Sequence, residues 1–261
     1  MFWTRVATSI ILAPIALAAV FYGSPWFELV VAGMAAAVIW EFVHISNKDG
    51  FPPRAGVVLM TTLFAVVVAG FDLVLGFVVI GFVWLGLFFT DRDVDHGGTS
   101  SLESALLYGA VPAVCLIAVS EMGGSATVIW VLAVVWGTDV GGYVAGRLIG
   151  GPKLAPKISP NKTWSGAAGS ITAAALGGTV VIYWAGADWS WLALVLALAL
   201  SVVSQFGDLA ESRFKRRHGV KDSGTWVPGH GGVMDRIDGL WAASPIAAVM
   251  CSVFEGGVKA W

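Results

Sequence analysis

Apolar stretches of about twenty residues recur along this chain, and each is long enough to cross the hydrocarbon core of a bilayer as a helix. On that ruler about nine are counted, at roughly 5–22, 26–45, 55–70, 72–90, 102–120, 126–148, 165–186, 190–210 and 236–256. The fold class expected is all-α, a polytopic integral membrane protein. Of the 261 residues 57% are apolar and only 12% charged, too apolar for a soluble domain of this length. Residues 1–123 read as N-terminal helices forming a scaffold, and 124–261 as helices that carry the chemistry.

The basic residues orient the spans. With nine spans, the N-terminus and the loops after spans two, four, six and eight share one side. That side holds Arg5, Lys48, Arg54, Arg92, Arg147, Lys153, Lys157, Lys162, Arg213, Lys215, Arg216, Arg217, Lys221 and Arg236, fourteen of the fifteen Lys and Arg. Only Lys259 lies opposite, with Glu28, Asp72, Glu121 and Asp188. The positive-inside rule then puts the N-terminus and the charged loops in the cytoplasm. Arg5 and the Ala16-Leu17-Ala18 triplet have the form of a secretory signal, but the apolar run continues past them, so a retained first span is expected. Trp26, Trp84, Trp130, Trp164, Trp189 and Trp191 stand near proposed span ends, as interfacial aromatics do. Cys115 and Cys251 lie in apolar runs without disulfide or metal spacing and read as core residues.

Charge is concentrated in two cytoplasmic segments, Asp139–Lys162 and Gly207–Asp238. Such density beside apolar spans is costly unless paired, and many cations with a few carboxylates suit phosphate and a metal ion. Asp208, Glu211 and Lys215 share a helix face at the end of span eight; Asp235 and Asp238 are one turn apart at the start of span nine. Two carboxylates plus substrate phosphates are what Mg2+ takes. The plainer alternative is interfacial ion pairing with Arg213 and Arg236. Asp139 lies inside span six, roughly 15 Å from its end; it either faces a polar cavity or is neutral. Gly137, Gly141 and Ala145, and Gly142, Gly146 and Gly150, recur every four residues. Such rows mean close helix approach or room for a ligand.

Lys153, Lys157 and Lys162, with Ser159, Asn161, Thr163 and the prolines, form a short stiff loop suited to phosphate. Headgroup attraction is the alternative. Gly229-His230-Gly231-Gly232 opens onto span nine, where glycine lets the backbone approach a ligand and a helix N-terminus offers N–H groups. His230 either donates to a phosphate or caps the loop. The acidic run Asp91–Asp95 with His96 reads as a solvated loop, and His44 and His218 as surface or interfacial residues.

Ser212-x-Phe214-Lys215-Arg216-x4-Lys221-Asp222-x-Gly224-x2-Val227-Pro228-x-His230-Gly231-Gly232-Val233-x-Asp235-Arg236-Ile237-Asp238 resembles the signature of the phosphatidate cytidylyltransferases, the CDP-diacylglycerol synthases. Val227 stands where that family has a longer aliphatic residue. Gly207-Asp208-Leu209, Glu211-Ser212, Lys153–Lys157 and Ser159–Thr163 also resemble its pattern. The resemblance covers about 137–240; the N-terminal half matches only as apolar spans.

The resemblance implies that CTP and phosphatidate give CDP-diacylglycerol and pyrophosphate at the cytoplasmic face of the inner membrane. The lipid phosphate is already anionic, so catalysis rests on positioning and charge neutralisation. Asp208 and Asp235 would hold Mg2+, and a monovalent cation such as K+ could share them. Lys162, Arg213, Lys215, Arg216, Lys221 and Arg236 are candidates for the phosphates. Lys157, Ser159, Asn161, Gly231 and Gly232 are further substrate contacts. Asp222 and Asp238 either orient those cations or read the cytidine amino group. A homodimer is implied and no nucleic-acid partner is expected. A CTP-dependent lipid kinase of the polyprenol type would instead transfer the γ-phosphate and release CDP. An ion-coupled transporter would draw on Asp139 and the Gly-rich spans, but no inverted repeat is visible.

Overall fold

The computed structural model describes residues 13–47, 50–90, 102–226 and 231–261. Among them are eight helices: α1 (Ala13–Tyr22), α2 (Trp26–Ser46), α3 (Pro53–Ala69), α4 (Leu73–Thr90), α5 (Leu102–Leu148), α6 (Trp164–Trp184), α7 (Trp191–Arg217) and α8 (Met234–Val253). Five of them, α2, α4, α5, α6 and α7, are long and apolar enough to cross a membrane. The acidic segment 91–96, Arg5, Lys48 and Arg92 lie outside the described residues.

The helix bounds follow local chemistry. Pro53 opens α3 at its first turn, where a missing N–H costs nothing. α5 runs 47 residues, but Gly124 (φ 72°, ψ 175°) breaks it between the stretches expected at 102–120 and 126–148. α7 outruns the expected 190–210 and continues to Arg217. Hydropathy marks where the apolar stretch ends, not where the helix does. The i, i+4 contacts Ser212–Asp208 and Lys215–Glu211 carry the helix onward through charged sequence.

The chain divides into two compact units. One comprises the described residues of Met1–Ala118 and Arg217–Ile237. Here α2 packs on α3 and α3 on α4. Val31, Ala35, Val38 and Ile39 of α2 and Leu106, Ala110 and Val114 of α5 are buried. α4 buries only Gly76, Ile80 and Leu87 and exposes Phe77, Phe82 and Phe89. A surface that apolar, on a helix whose backbone bonds are internal, is what lipid solvates.

The other unit comprises Val119–Arg216 and Asp238–Trp261. Its small-residue row is a helix contact. Added Cβ atoms at Gly141 and Gly169 would overlap the facing helix, and one at Gly137 would stand 2.9 Å from the Ala173 carbonyl. α5 and α6 therefore touch backbone to backbone, which resolves the two readings of that row toward close approach. Polar rungs cross the same region: Thr138 donates to Ser201 Oγ at 2.8 Å and Ser170 to the Thr138 carbonyl at 2.7 Å. Trp130 is fully buried, edge-on to Trp261 at 5.3 Å, so it is a core residue and not an interfacial one. Trp26, Trp164 and Trp191 are exposed at helix starts, as expected.

The segment expected as a stiff loop is an antiparallel hairpin, β1 (Lys153–Ala155) with β2 (Ser159–Thr163). Pro160 is tolerated because a two-stranded ribbon leaves one side of each strand without a ladder partner. Thr163 then caps α6 by accepting the Gly166 N–H at 3.1 Å, which fixes the hairpin to the helix that follows.

Candidate active site

The second unit assembles a charged group from four elements. Gly207 and Gly239 set its geometry. An added Cβ at Gly207 would overlap the Ala242 methyl and stand 3.0 Å from the Asp238 carbonyl; one at Gly239 would overlap Ser204 Oγ. α7 and α8 thus cross in direct contact, immediately beside Asp208 and Asp238. Asp208 Oδ2 accepts an ion pair from Lys162 Nζ of β2 at 2.6 Å, and its Oδ1 accepts from Ser212 Oγ at 3.3 Å. Asp238 lies in the field of Asp208 and Asp139, with Lys215 acting in the opposite sense. Asp139, which is exposed, thus acts on Asp238 through its charge. Lys215 is buried in a 2.8 Å pair with Glu211, so its charge is held inside the helix layer.

The remaining candidates of this unit are exposed or half-exposed. Lys157 and Asn161 of the hairpin region and Arg213 and Arg216 on α7 are exposed, and Ser159 is half-buried. The hairpin and the end of α7 therefore offer cations to water while Lys162 faces Asp208.

The first unit contains the glycine-rich turn that leads into α8. Asp235 Oδ2 accepts three hydrogen bonds: from Ser223 N at 2.8 Å, Ser223 Oγ at 3.0 Å and Gly232 N at 2.9 Å. Gly231 has φ 88°, and an added Cβ there would stand 2.7 Å from Asp235 Oδ2. Asp235 thus ties the Asp222–Gly224 turn to the Gly231–Gly232 turn. Lys221, Asp222 and Arg236 are exposed beside it. Val227, Pro228, Gly229 and His230 lie outside the described residues.

Two residues of this arrangement carry no role in the sequence pattern, Ser223 and Glu41. Glu41 of α2 is buried at 2% exposure and accepts from Ser223 Oγ, Val233 N and Met234 N at 2.7–2.8 Å. The signal was present: a glutamate inside an apolar stretch is costly for the same reason as Asp139.

Chemically, clustered carboxylates and ammonium groups bind polyanions and hard cations. Among the described residues no set of three His, Cys, Asp or Glu is grouped to hold a metal on its own. The oxygen donors at Asp208, already taking a cation, fit Mg2+, which is normally bound by one or two carboxylates with substrate phosphates and water.

A model of the cytidylyltransferase family matches residues 3–254. The chain is 39% identical over 262 residues to a phosphatidate cytidylyltransferase of Brucella suis, covering 96% of this chain and 93% of that one. It is 34% identical over 263 residues to that of Pseudomonas aeruginosa, covering 94% and 95%. With that of Staphylococcus saprophyticus it shares 42% identity over 124 residues, 47% of this chain.

Proposed function

Because this chain belongs to the cytidylyltransferase family, we infer that it is a phosphatidate cytidylyltransferase, making CDP-diacylglycerol and pyrophosphate from CTP and phosphatidate. The supporting observation in the fold is the group formed by Asp208, Lys162, Asp238 and Asp139, a cation- and phosphate-binding chemistry built into an apolar bundle. In the reaction an oxygen of the lipid phosphate forms a bond to the α-phosphorus of CTP. The bond from that phosphorus to the bridging oxygen of the β-phosphate breaks, and its electron pair leaves with pyrophosphate. The nucleophile needs no strong base, so the protein's work is alignment and neutralisation.

Asp208 and Asp235 are the proposed ligands of Mg2+, which when bound withdraws charge from the phosphate oxygens. A monovalent cation such as K+ is proposed to share them. Lys162 exchanges its carboxylate partner for a phosphate oxygen. Arg213, Arg216, Lys221, Arg236 and His230 contact phosphates, with Lys157, Ser159, Asn161, Gly231 and Gly232 as further substrate contacts. Lys215 acts from its buried pair, and Asp222 and Asp238 orient cations or read the cytosine amino group.

The proposed topology has nine spans, counting the two arms of α5 separately and including α1, α3 and α8. The distribution of Lys and Arg supports a cytoplasmic N-terminus and a site on the cytoplasmic face of the inner membrane. There CTP arrives from water while the acyl chains stay in the leaflet. A homodimer is the proposed assembly. The test is purified protein in detergent given α-labelled CTP and phosphatidate. Organic-phase label that requires both Mg2+ and phosphatidate, with equimolar pyrophosphate, is expected. No such label, beside an active relative in the same detergent, would overturn the reading.

A further inference from the structure

Glu41 has no place in the motif that carries the chemistry, yet it bonds to that motif from the N-terminal helices. It sits near the end of α2 between Trp40 and Phe42, at 2% exposure. A carboxylate buried this deeply is costly unless donors surround it. Its Oε1 accepts from Val233 N at 2.8 Å; its Oε2 accepts from Met234 N at 2.8 Å and Ser223 Oγ at 2.7 Å. Val233 and Met234 open α8, where N–H groups lack intrahelical acceptors and the helix end favours negative charge. Glu41 therefore caps α8 from a different helix, 192 residues away in sequence.

Ser223 links this cap to the motif. Its hydroxyl lies 2.7 Å from Glu41 Oε2 and 3.0 Å from Asp235 Oδ2, so one O–H proton serves two carboxylates. Two motif glycines follow from the same contact. An added Cβ at Gly224 would stand 2.8 Å from Glu41 Oε1, and one at Gly232 would overlap both Glu41 oxygens and Ser223 Oγ. The loop is glycine here because its backbone must press against Glu41.

We propose that Glu41 is a positioning residue for nucleotidyl transfer: through Ser223 and the α8 N-terminus it fixes Asp235 and the turn carrying Lys221 and Asp222 for CTP. The N-terminal helices then take part in setting the nucleotide site. This rests on the cytidylyltransferase reading.

The test compares wild type, Glu41→Gln, Ser223→Ala and the double variant as full-length protein in detergent. It reads kcat and KM for each substrate, and the CTP-induced rise in melting temperature. A glutamine offers one acceptor and a competing NH2, so kcat/KM for CTP should fall by about tenfold to thirtyfold, the size expected for losing a charge-assisted hydrogen bond. KM for phosphatidate should stay within about twofold, and the CTP-induced melting shift should shrink. Ser223→Ala should lose about tenfold, and the double variant little more than Glu41→Gln alone, because both remove one shared bond. Variants with wild-type kcat/KM for CTP, losses that multiply, or a KM for phosphatidate that rises alongside that for CTP would overturn the proposal. If Glu41→Gln fails to fold, Ser223→Ala decides by the same criteria. An inactive wild type would sink the reaction itself, whereas an active wild type with indifferent variants sinks only the role of Glu41.

Discussion

Lys162 Nζ of the β-hairpin stands 2.6 Å from Asp208 Oδ2 of α7, and both side chains are partly open, at 24% and 35% exposure. A pair this accessible adds only about 0–1 kcal/mol to stability. It is therefore exchangeable. In the proposed reaction Asp208 takes a divalent cation in place of the ammonium, and Lys162 then faces a phosphate oxygen.

Asp208→Asn should accordingly separate activity from stability. The expected kcat loss is about a hundredfold or more, the size seen when a charge-stabilising group is removed. Raising Mg2+ should not restore it. The melting temperature should move by no more than about 2–4 °C. A variant with wild-type turnover would remove Asp208 from the proposed metal site.

Asp235→Asn should behave differently, because Asp235 Oδ2 accepts three hydrogen bonds that hold the glycine-rich turns together. Bonds to a neutral amide oxygen are weaker than those to a carboxylate. Turnover should be lost at any Mg2+ concentration, together with about 1–3 kcal/mol of stability. Thermal unfolding beside the activity assay distinguishes this from Asp208→Asn. Full activity in Asp235→Asn would rule out its metal role.

Lys221 is exposed on the same turn that Asp235 anchors. Removing its charge by Lys221→Ala should act on the nucleotide and not on the fold. KM for CTP is expected to rise by about tenfold, as for one lost charge-assisted contact, with kcat changed much less. Equal KM values for wild type and variant would place Lys221 outside the CTP site.

The sequence predicts this fold unevenly, for physical reasons. Bilayer thickness sets a length scale that hydropathy reads directly, so α2, α4 and α6 fall within two residues of their expected bounds. The end of α7 does not follow from hydropathy because membrane depth and helix length are separate quantities. The hairpin at Lys153–Thr163 is hidden in the sequence because Pro156 and Pro160 argue against strands, while Pro156 falls in the turn and the open side of a two-stranded ribbon tolerates Pro160. Trp130 stands at an interfacial position in the sequence but packs against Trp261, a contact 131 residues distant that no local pattern encodes. Asp208 and Lys162 could be singled out because each sits in a charge-dense segment. Glu41 stands alone among apolar neighbours, and only its fold partners disclose what it does.

The α7–α8 crossing yields a compensating pair. Gly207→Ala places a methyl group onto that of Ala242, immediately beside Asp208. Overpacking of this kind costs about 1–3 kcal/mol, and displacing Asp208 by even a fraction of an ångström should reduce turnover. Ala242→Gly removes the opposing methyl, so the double variant should recover a large part of both losses. Turnover and melting temperature of the two single variants and the double form the test. Strictly additive losses would mean that the two residues do not meet.

Glu211 and Lys215 make the last case, a 2.8 Å ion pair with both side chains buried, at 1% and 11% exposure. A buried pair contributes little net stability, since desolvation offsets attraction, but removing one partner costs about 3–5 kcal/mol. Glu211→Ala should therefore destabilise strongly. Glu211→Leu combined with Lys215→Met should recover most of the stability, because well-packed apolar residues replace such pairs at little cost. Activity should return only at raised CTP concentration. The Lys215 charge also acts on Asp238, which lies in the fields of Asp208 and Asp139. Without that charge the cluster loses a counterion, and binding of CTP, which brings more negative charge, becomes harder. A stable double variant with a raised CTP requirement is the expected outcome. A stable double variant with wild-type kinetics would make the pair a packing element alone.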